Sequence, residues 1–381
     1  MKKYDVIIIG AGAAGLSAAI SALDLGKRVL VLEMGSSPAR KVAASGGGRC
    51  NITNADVKFD RYFGINPDFV RGALSRVTPD DILSWCKKHR LELEEKTTGR
   101  YFCTDGAMAV VSALMNDAKQ ATIKYNTNIT NIKKIDNLFI VNDFVAKSVI
   151  VATGGTSFAT LGVSDAGMKI ATSFGHKIVP VRPALCALKI AGAQSELAGI
   201  SLDAEIKIGK KVLRDSMLIT HFGIGGPLAY RASLYDLSNG FYLNLMPKVD
   251  VLQFLKDKKK QSGKKNLSSV LAEQLPQRIA KLIANKDERN IADMPDKELE
   301  KIAQKISNYF VGGEKISWHG LSSAEVVRGG VDTREISSKT MESKLCSGLF
   351  FVGEVLDIAG DLGGFNLHWA WASGHVAGMC A

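Results

Sequence analysis

One stretch constrains the fold of this chain more than any other: "YDVIIIGAGAAGLSAAISALDLGKRVLVLE", Tyr4 to Glu33. Val6 to Ile9 is a short, fully apolar, β-branched run, the signature of a parallel strand buried on both faces. Gly10, Gly12 and Gly15 then form GxGxxG, and the Ala-rich segment Leu16 to Leu25 predicts a helix that Gly26 terminates as a C-cap. A second strand, Val29 to Leu32, ends at Glu33, 18 residues beyond the last fingerprint glycine. GxGxxG alone is a weak signal, but here the strand, the helix and the distal acid all surround it. Gly10 permits the tight turn, Gly12 admits a pyrophosphate to the backbone, and Gly15 lets helix and strand pack closely. Free N–H groups at the helix start favour the phosphates, and Ala14 lies among them. Glu33 is placed to accept hydrogen bonds from ribose hydroxyls and disfavours a 2′-phosphate.

Later segments select the dinucleotide. "KSVIVATGGTSF" (Lys147–Phe158) is another apolar strand ending in a glycine turn, at Thr153 and Gly154. "GLFFVGEVLD" (Gly348–Asp357) is a strand followed by Gly353 and Glu354. "GDLGGFNLHWAWASGHVAG" opens a helix on glycines. A cofactor as long as FAD needs several segments along its length, including a late one that reaches the ribityl chain and ring. A nicotinamide dehydrogenase does not. No second GxGxxG follows a strand, and "GIGGP" (Gly223–Pro227) is discounted for want of a strand–helix frame. NAD(P)H is therefore expected only as a transient co-substrate.

The fold class expected is α/β: a Rossmann FAD-binding domain interrupted by an insertion. Residues 60 to 120 read as helical. "ATIKYNTNITNIKKIDNLFIVNDFVAKSVIVATGG" alternates, with a hairpin at Asp136–Asn137. Short strands follow from Ala187 to Pro247, and then charged, Lys-rich helices from Val251 to Tyr309. Boundaries are set at 1–187 and 336–381 for the FAD domain, 188–250 and 313–335 for a β-rich domain, and 251–312 for a helical subdomain.

Composition adds a few bounds. Lys plus Arg number 49 against 38 Asp plus Glu, a net charge of +11 that favours an anionic partner. Six cysteines without CxxC or zinc spacing point to a reduced, cytoplasmic setting and to no metal site. The apolar start mimics a leader, but Asp5 and the regular glycines argue against one, and no other run is long enough for a membrane span.

The stretch "SGGGRCNITN" (Ser45–Asn54) carries the strongest functional signal outside the fingerprint. With "LITHFGIGGP", "AEVVRGGVDTREISSKTMESK" and the C-terminal glycine segment, it resembles the three-domain bacterial oxidoreductases of the BaiN/RdsA-like (YhiN-like) family over nearly the whole chain. In that family a glutathione-reductase-type FAD domain is interrupted by a β-barrel-like domain and a small helical domain. Its members act in dihydrouridine formation in ribosomal RNA, bile-acid enoyl reduction and aminoacetone oxidation. One departure is Cys103, where the family commonly has Pro.

The resemblance implies that Lys41, Gly46, Gly47 and Gly48 lie along the flavin, where glycine lets N–H groups approach without a Cβ clash. Asn51 and Asn54 offer amides to ring carbonyls, and Arg49 offers positive charge. Ile129 contacts adenine through its backbone. Thr153, Gly154, Gly353 and Glu354 continue to the ribityl chain, and Gly364 and Asn366 approach the ring. Three residues compete for the role of proton donor in C=C reduction: Cys50, beside the glycines; His221, in "THFG"; and His368, in "NLHWAW". Trp369 and Trp371 read as core. The run "LKDKKKQSGKKN" places Lys256, Lys258, Lys259, Lys260, Lys264 and Lys265 against one acid, a footprint for RNA phosphates or a solvated helix end. The leading expectation is an FAD-dependent reductase of uridine in 23S ribosomal RNA. The alternatives are a small-molecule enoyl reductase or amine oxidase, and an RNA-binding assembly factor whose FAD is structural or redox-sensing.

Overall fold

The computed structural model describes residues 2–96, 99–158, 164–287 and 289–381. The chain divides into two compact units, Met1–Pro183 with Glu325–Ala381, and Ala184–Ala324.

The first unit is built on a five-stranded parallel sheet in the order Leu349–Phe351, Ser148–Val151, Val6–Ile9, Val29–Leu32, Thr122–Lys124. Every residue of Val6–Ile9, Val29–Leu32 and Ser148–Val151 is buried, which explains why these runs, Ser148 apart, are apolar throughout rather than alternating. Helix Ala13–Asp24 follows the first strand, and Gly26 closes it at φ +72°, its N–H bonded to the Leu23 carbonyl. The C-terminal helix Phe365–Cys380 packs directly on this helix. Gly374 and Gly378 make that possible: a Cβ on either would strike the Ala14 or Ala18 carbonyl.

The predicted Asp136–Asn137 hairpin joins Ile132–Ile135 to Leu138–Val141, with Asp136 at φ +55°. Residues 60–120 are not uniformly helical. Helices Pro79–Lys88 and Ala107–Asp117 flank two strands, Leu93–Lys96 and Arg100–Cys103, which form a three-stranded antiparallel sheet with Asn51–Asn54. Leu93–Lys96, half-exposed and rich in Glu and Lys, carries little β signal of its own, and Arg100–Cys103, although aromatic, is only four residues long. Residues 325–335, expected within the inserted domain, belong to the first unit: strand Val326–Val331 pairs with Ile178–Ala184.

The second unit holds a seven-stranded sheet in the order Tyr309–Val311, Phe241–Asn244, Ser201–Ile208, Lys211–Thr220, Gly223–Gly225, Leu188–Ile190, Ile316–Trp318. All its ladders are antiparallel. Among the described residues no ladder joins the first of these strands to the last, so the expected barrel is an open sheet. "GIGGP" does have a strand–helix frame, Gly223–Gly225 then Gly226–Ala232, but that helix has seven residues and leaves an antiparallel sheet. Helices Val251–Gln261, Leu267–Leu271, Gln277–Ala284 and Asp296–Ser307 enclose a separate apolar core around Leu255, Leu271 and Leu299.

Candidate active site

The fingerprint glycines divide into two kinds. A Cβ on Gly10 would sit 2.5 Å from the Ala152 carbonyl oxygen, and one on Gly15 would land on the Gly10 carbonyl. These two close the strand–turn–helix against the neighbouring strand. A Cβ on Gly12 would meet nothing within 4 Å. Gly12 is the N-cap of helix Ala13–Asp24, no side chain caps it, and no acid occupies the first turn. Open space in front of uncapped helix N–H groups fits a pyrophosphate.

Glu33 is buried at the end of its strand. Its Oε2 accepts from Ala11 N–H at 2.7 Å, while Oε1 accepts from Gly35 N–H at 2.7 Å and Arg40 at 3.1 Å. The carboxylate thus fastens the fingerprint turn to the second strand, and Oε2, with one bond accepted against two at Oε1, retains lone-pair capacity for a ribose hydroxyl. Arg40, which orients it, was not singled out from the sequence. Ile129 is half-buried against the main core.

Farther along, Gly47 (φ +66°), Gly48 (φ +85°) and Gly154 (φ +74°) have open space where a side chain would stand, whereas Gly46 is backed by Phe102 and the Asn51 N–H. Lys41 donates to Glu354 Oε2 at 2.8 Å and to Ser157 Oγ at 2.9 Å. The other Glu354 oxygen accepts from Ser157 Oγ and Val327 N–H, both at 3.1 Å. Thr153 packs its hydroxyl against Gly167, and Gly353 is held by the last helix: its N–H donates to Ser373 Oγ and its carbonyl accepts from Trp369 Nε1. Trp371 donates to the Ile52 carbonyl, so both tryptophans are core residues with satisfied N–H groups. Arg49 is exposed, its guanidinium 5.3 Å from the Phe102 ring centroid.

The three asparagines expected to face the ring are engaged elsewhere. Asn54 donates to the Gly363 carbonyl at 2.8 Å. Asn366 accepts from Gly360 N–H and donates to its carbonyl. Asn51, in the amide orientation its neighbours require, accepts from Gly364 N–H at 3.1 Å. A Cβ on Gly364 would strike the Thr53 carbonyl. Together these amides lock the 360–364 turn onto strand Asn51–Asn54. They shape the site through backbone rather than by offering their own donors.

Two of the three expected acids are also corrected. Cys50 is fully buried at φ +52°, and desolvation pushes its thiol up to about 12, against a smaller effect of Ser45. His368 has no exposed surface; Nδ1 meets Thr53 Oγ1 at 2.8 Å and Nε2 donates to the Val77 carbonyl at 2.9 Å. Burial pulls its pKa down to about 4, so it is a neutral structural imidazole with both nitrogens occupied. His221 lies in the second unit, exposed, its ring edge-on to Phe222 at 4.8 Å.

Glu325 was missed, because an acid before an apolar strand carries no distinguishing pattern. Its carbonyl accepts from Ser157 Oγ at 3.2 Å, which ties it to the Lys41–Glu354 pair. The side chain keeps exposed surface, yet enough protein surrounds it that desolvation raises its pKa, with Arg100 pulling the other way. Arg100 Nε and Thr156 Oγ1 are both buried without a partner, polar atoms still to be satisfied. Of the six candidate RNA lysines, three are engaged within the fold: Lys258 and Lys265 with Glu273, and Lys259 with Asp296 and the Met294 carbonyl. Lys260 and Lys264 are exposed and Lys256 is half-buried.

A nucleotide cradle at the carboxyl ends of a parallel sheet, extended by late glycine turns, defines a Rossmann-type FAD-dependent oxidoreductase. The chain belongs to the HI0933-like family: the family model described as "HI0933-like protein Rossmann domain" matches residues 4–380. It is similar to the ribosomal RNA dihydrouridine synthase of Escherichia coli K12, 34% identical, covering 98% of this chain and 96% of that one. A protein of the same description from Haemophilus influenzae is 35% identical over 100% of this chain and 99% of its own. The 3-dehydro-bile acid delta(4,6)-reductase of Clostridium scindens is 30% identical, covering 98% of each. No described helix is long and apolar enough to cross a membrane.

Proposed function

We propose that this protein reduces the C5=C6 bond of a uridine in 23S ribosomal RNA to give dihydrouridine, with NAD(P)H as electron donor. The observation that carries this reading is full-length similarity, at 34–35% identity, to two proteins described as ribosomal RNA dihydrouridine synthases. The C. scindens relative supports the same reaction class on a small molecule, reduction of a C=C bond, and is the second reading.

When bound, FAD supplies the hydride that one alkene carbon accepts. The chain's part is to hold the cofactor and deliver a proton to the other carbon. Gly12 and the helix start would hold the pyrophosphate, Glu33 the adenosine ribose, and Gly47, Gly48, Gly154 and the Lys41–Glu354 pair the remainder. Glu325 is the proton donor in this reading. Its raised pKa keeps the carboxylic acid populated above the ordinary glutamate range, and its exposed surface lets it regain a proton from water. Cys50 and His368 offer neither access nor a suitable pKa.

Deleting the gene and mapping dihydrouridine in ribosomal RNA tests the substrate. The modification should disappear, return with the wild-type gene, and stay absent with Gly12→Val. An unchanged map sinks the proposal. For the acid, Glu325→Gln should slow product formation by roughly 10²-fold or more while leaving FAD content and NAD(P)H-driven flavin bleaching intact. Wild-type turnover should decline as pH rises through the Glu325 pKa, because only the protonated form donates.

A further inference from the structure

The second unit presents an aromatic row on the solvent face of its sheet. Val212, Lys207, Tyr242 and Phe310 stand directly opposite one another on four consecutive strands. The pattern along Ser201–Ile208 fixes the face: Ala204 and Ile206 are buried, while Lys207 is exposed. Large apolar groups here remain open, with Val212 at 49%, Tyr242 at 41% and Phe310 at 52% exposure. The two rings lie side by side, centroids 5.0 Å apart and tilted by 46°. Lys207 sits between Val212 and Tyr242, and Lys210 occupies the adjoining two-residue turn. Among the described residues neither lysine has an ion pair or hydrogen bond. The nearest acid on this face, Glu205, is already answered by Arg214.

We propose that this row is a binding surface for single-stranded RNA. Bases splayed out of a helix stack on exposed aromatic faces, and cations beside the rings meet the phosphates. The charge pattern favours this occupant over a second copy of the chain. A two-fold dimer across this row would gather two copies each of Lys207 and Lys210 into one interface with no acid of the row to offset them. The proposal rests on the ribosomal RNA reading and relocates the RNA contact to the sheet face, away from the Lys256–Lys265 run, half of which is engaged by Glu273 and Asp296.

The test uses the full-length, FAD-loaded protein and a fluorescent oligouridine of about a dozen nucleotides, long enough to span one stacking platform. Tyr242→Ala with Phe310→Ala should weaken binding at least ~10-fold, with unchanged FAD content and melting temperature. Phe310→Trp should retain binding. Lys207→Gln should reduce the slope of log affinity against log salt by about 0.7, the loss of one single-strand phosphate contact. Equal binding by wild type and the double alanine variant overturns the proposal. So does failure of the wild type to bind, or concentration-dependent self-association that the double variant abolishes. Dihydrouridine formation in ribosomal RNA is measured in parallel. If binding depends on the row but no dihydrouridine is made, the surface stands and the reductase reading falls. If dihydrouridine is made equally by both proteins and binding is unaffected, the reverse holds.

Discussion

A single glycine can serve the fold or the ligand, and what its missing Cβ would touch tells which. Gly15→Ala drives a methyl into the Gly10 carbonyl and should cost several kcal/mol, read as loss of soluble protein or a depressed melting temperature. Gly12→Val enters open space. It should leave the cofactor-free protein's melting temperature unchanged while abolishing the yellow flavin absorbance. His368 gives a second residue-scale prediction. Its folded pKa of about 4 lies below the ordinary 6.5, so the folded state binds fewer protons than the unfolded chain between those values. The stability it contributes is therefore full above pH 6.5 and is lost as pH falls toward 4, on the order of 3 kcal/mol across that window. His368→Gln should flatten this part of the melting-temperature profile and lower the whole curve, because Thr53 and Val77 lose their shared partner.

At the scale of elements, the crossing of the fingerprint helix and the C-terminal helix supports the site. Gly374 and Gly378 set one helix against the Ala14 and Ala18 backbone, and Trp369 and Ser373 from the same helix hold Gly353. Gly374→Val should therefore destabilise the first unit by a few kcal/mol and weaken FAD retention in step, measured by thermal melting and by flavin released on gel filtration. Retention of both would contradict this account. The same elements mark how far the sequence could be read. The fingerprint strand, helix and second strand were legible because each has an uninterrupted period, and the Asp136–Asn137 hairpin because its turn residues are distinctive. Strands Leu93–Lys96 and Arg100–Cys103 were not: each is four residues long, the first is half-exposed and charged, and they form a sheet only because Arg100–Cys103 pairs with Leu93–Lys96 on one side and with Asn51–Asn54, distant in the chain, on the other.

Over the whole molecule, the segments proposed to hold the nucleotide, residues 10–33 and 353–365, lie far apart in the chain yet fall in the same first unit. A ligand that spans them adds its binding energy to the stability of that unit. At a thousandfold excess over its dissociation constant FAD contributes ~4 kcal/mol, worth about 10 °C in a unit of this size. Stripping the flavin should lower the melting temperature by that order, and adding FAD, but not riboflavin, should restore it. Riboflavin alone giving full restoration would argue against a site organised around the pyrophosphate.

The sequence by itself determined the Rossmann-type frame, the late strand Leu349–Phe351 that joins its sheet, and the presence of a β-rich and helical insertion. These depend on local period, on glycine placement and on order along the chain, all of which are written residue by residue. Only the tertiary structure decided which polar groups are already spent. It turned Cys50 and His368 from acids into core, committed Asn51, Asn54 and Asn366 to the 360–364 turn, and brought Glu325 beside the Lys41–Ser157–Glu354 cluster. Burial and hydrogen-bond partnership are properties of neighbours distant in sequence, and no pattern local to a residue encodes them.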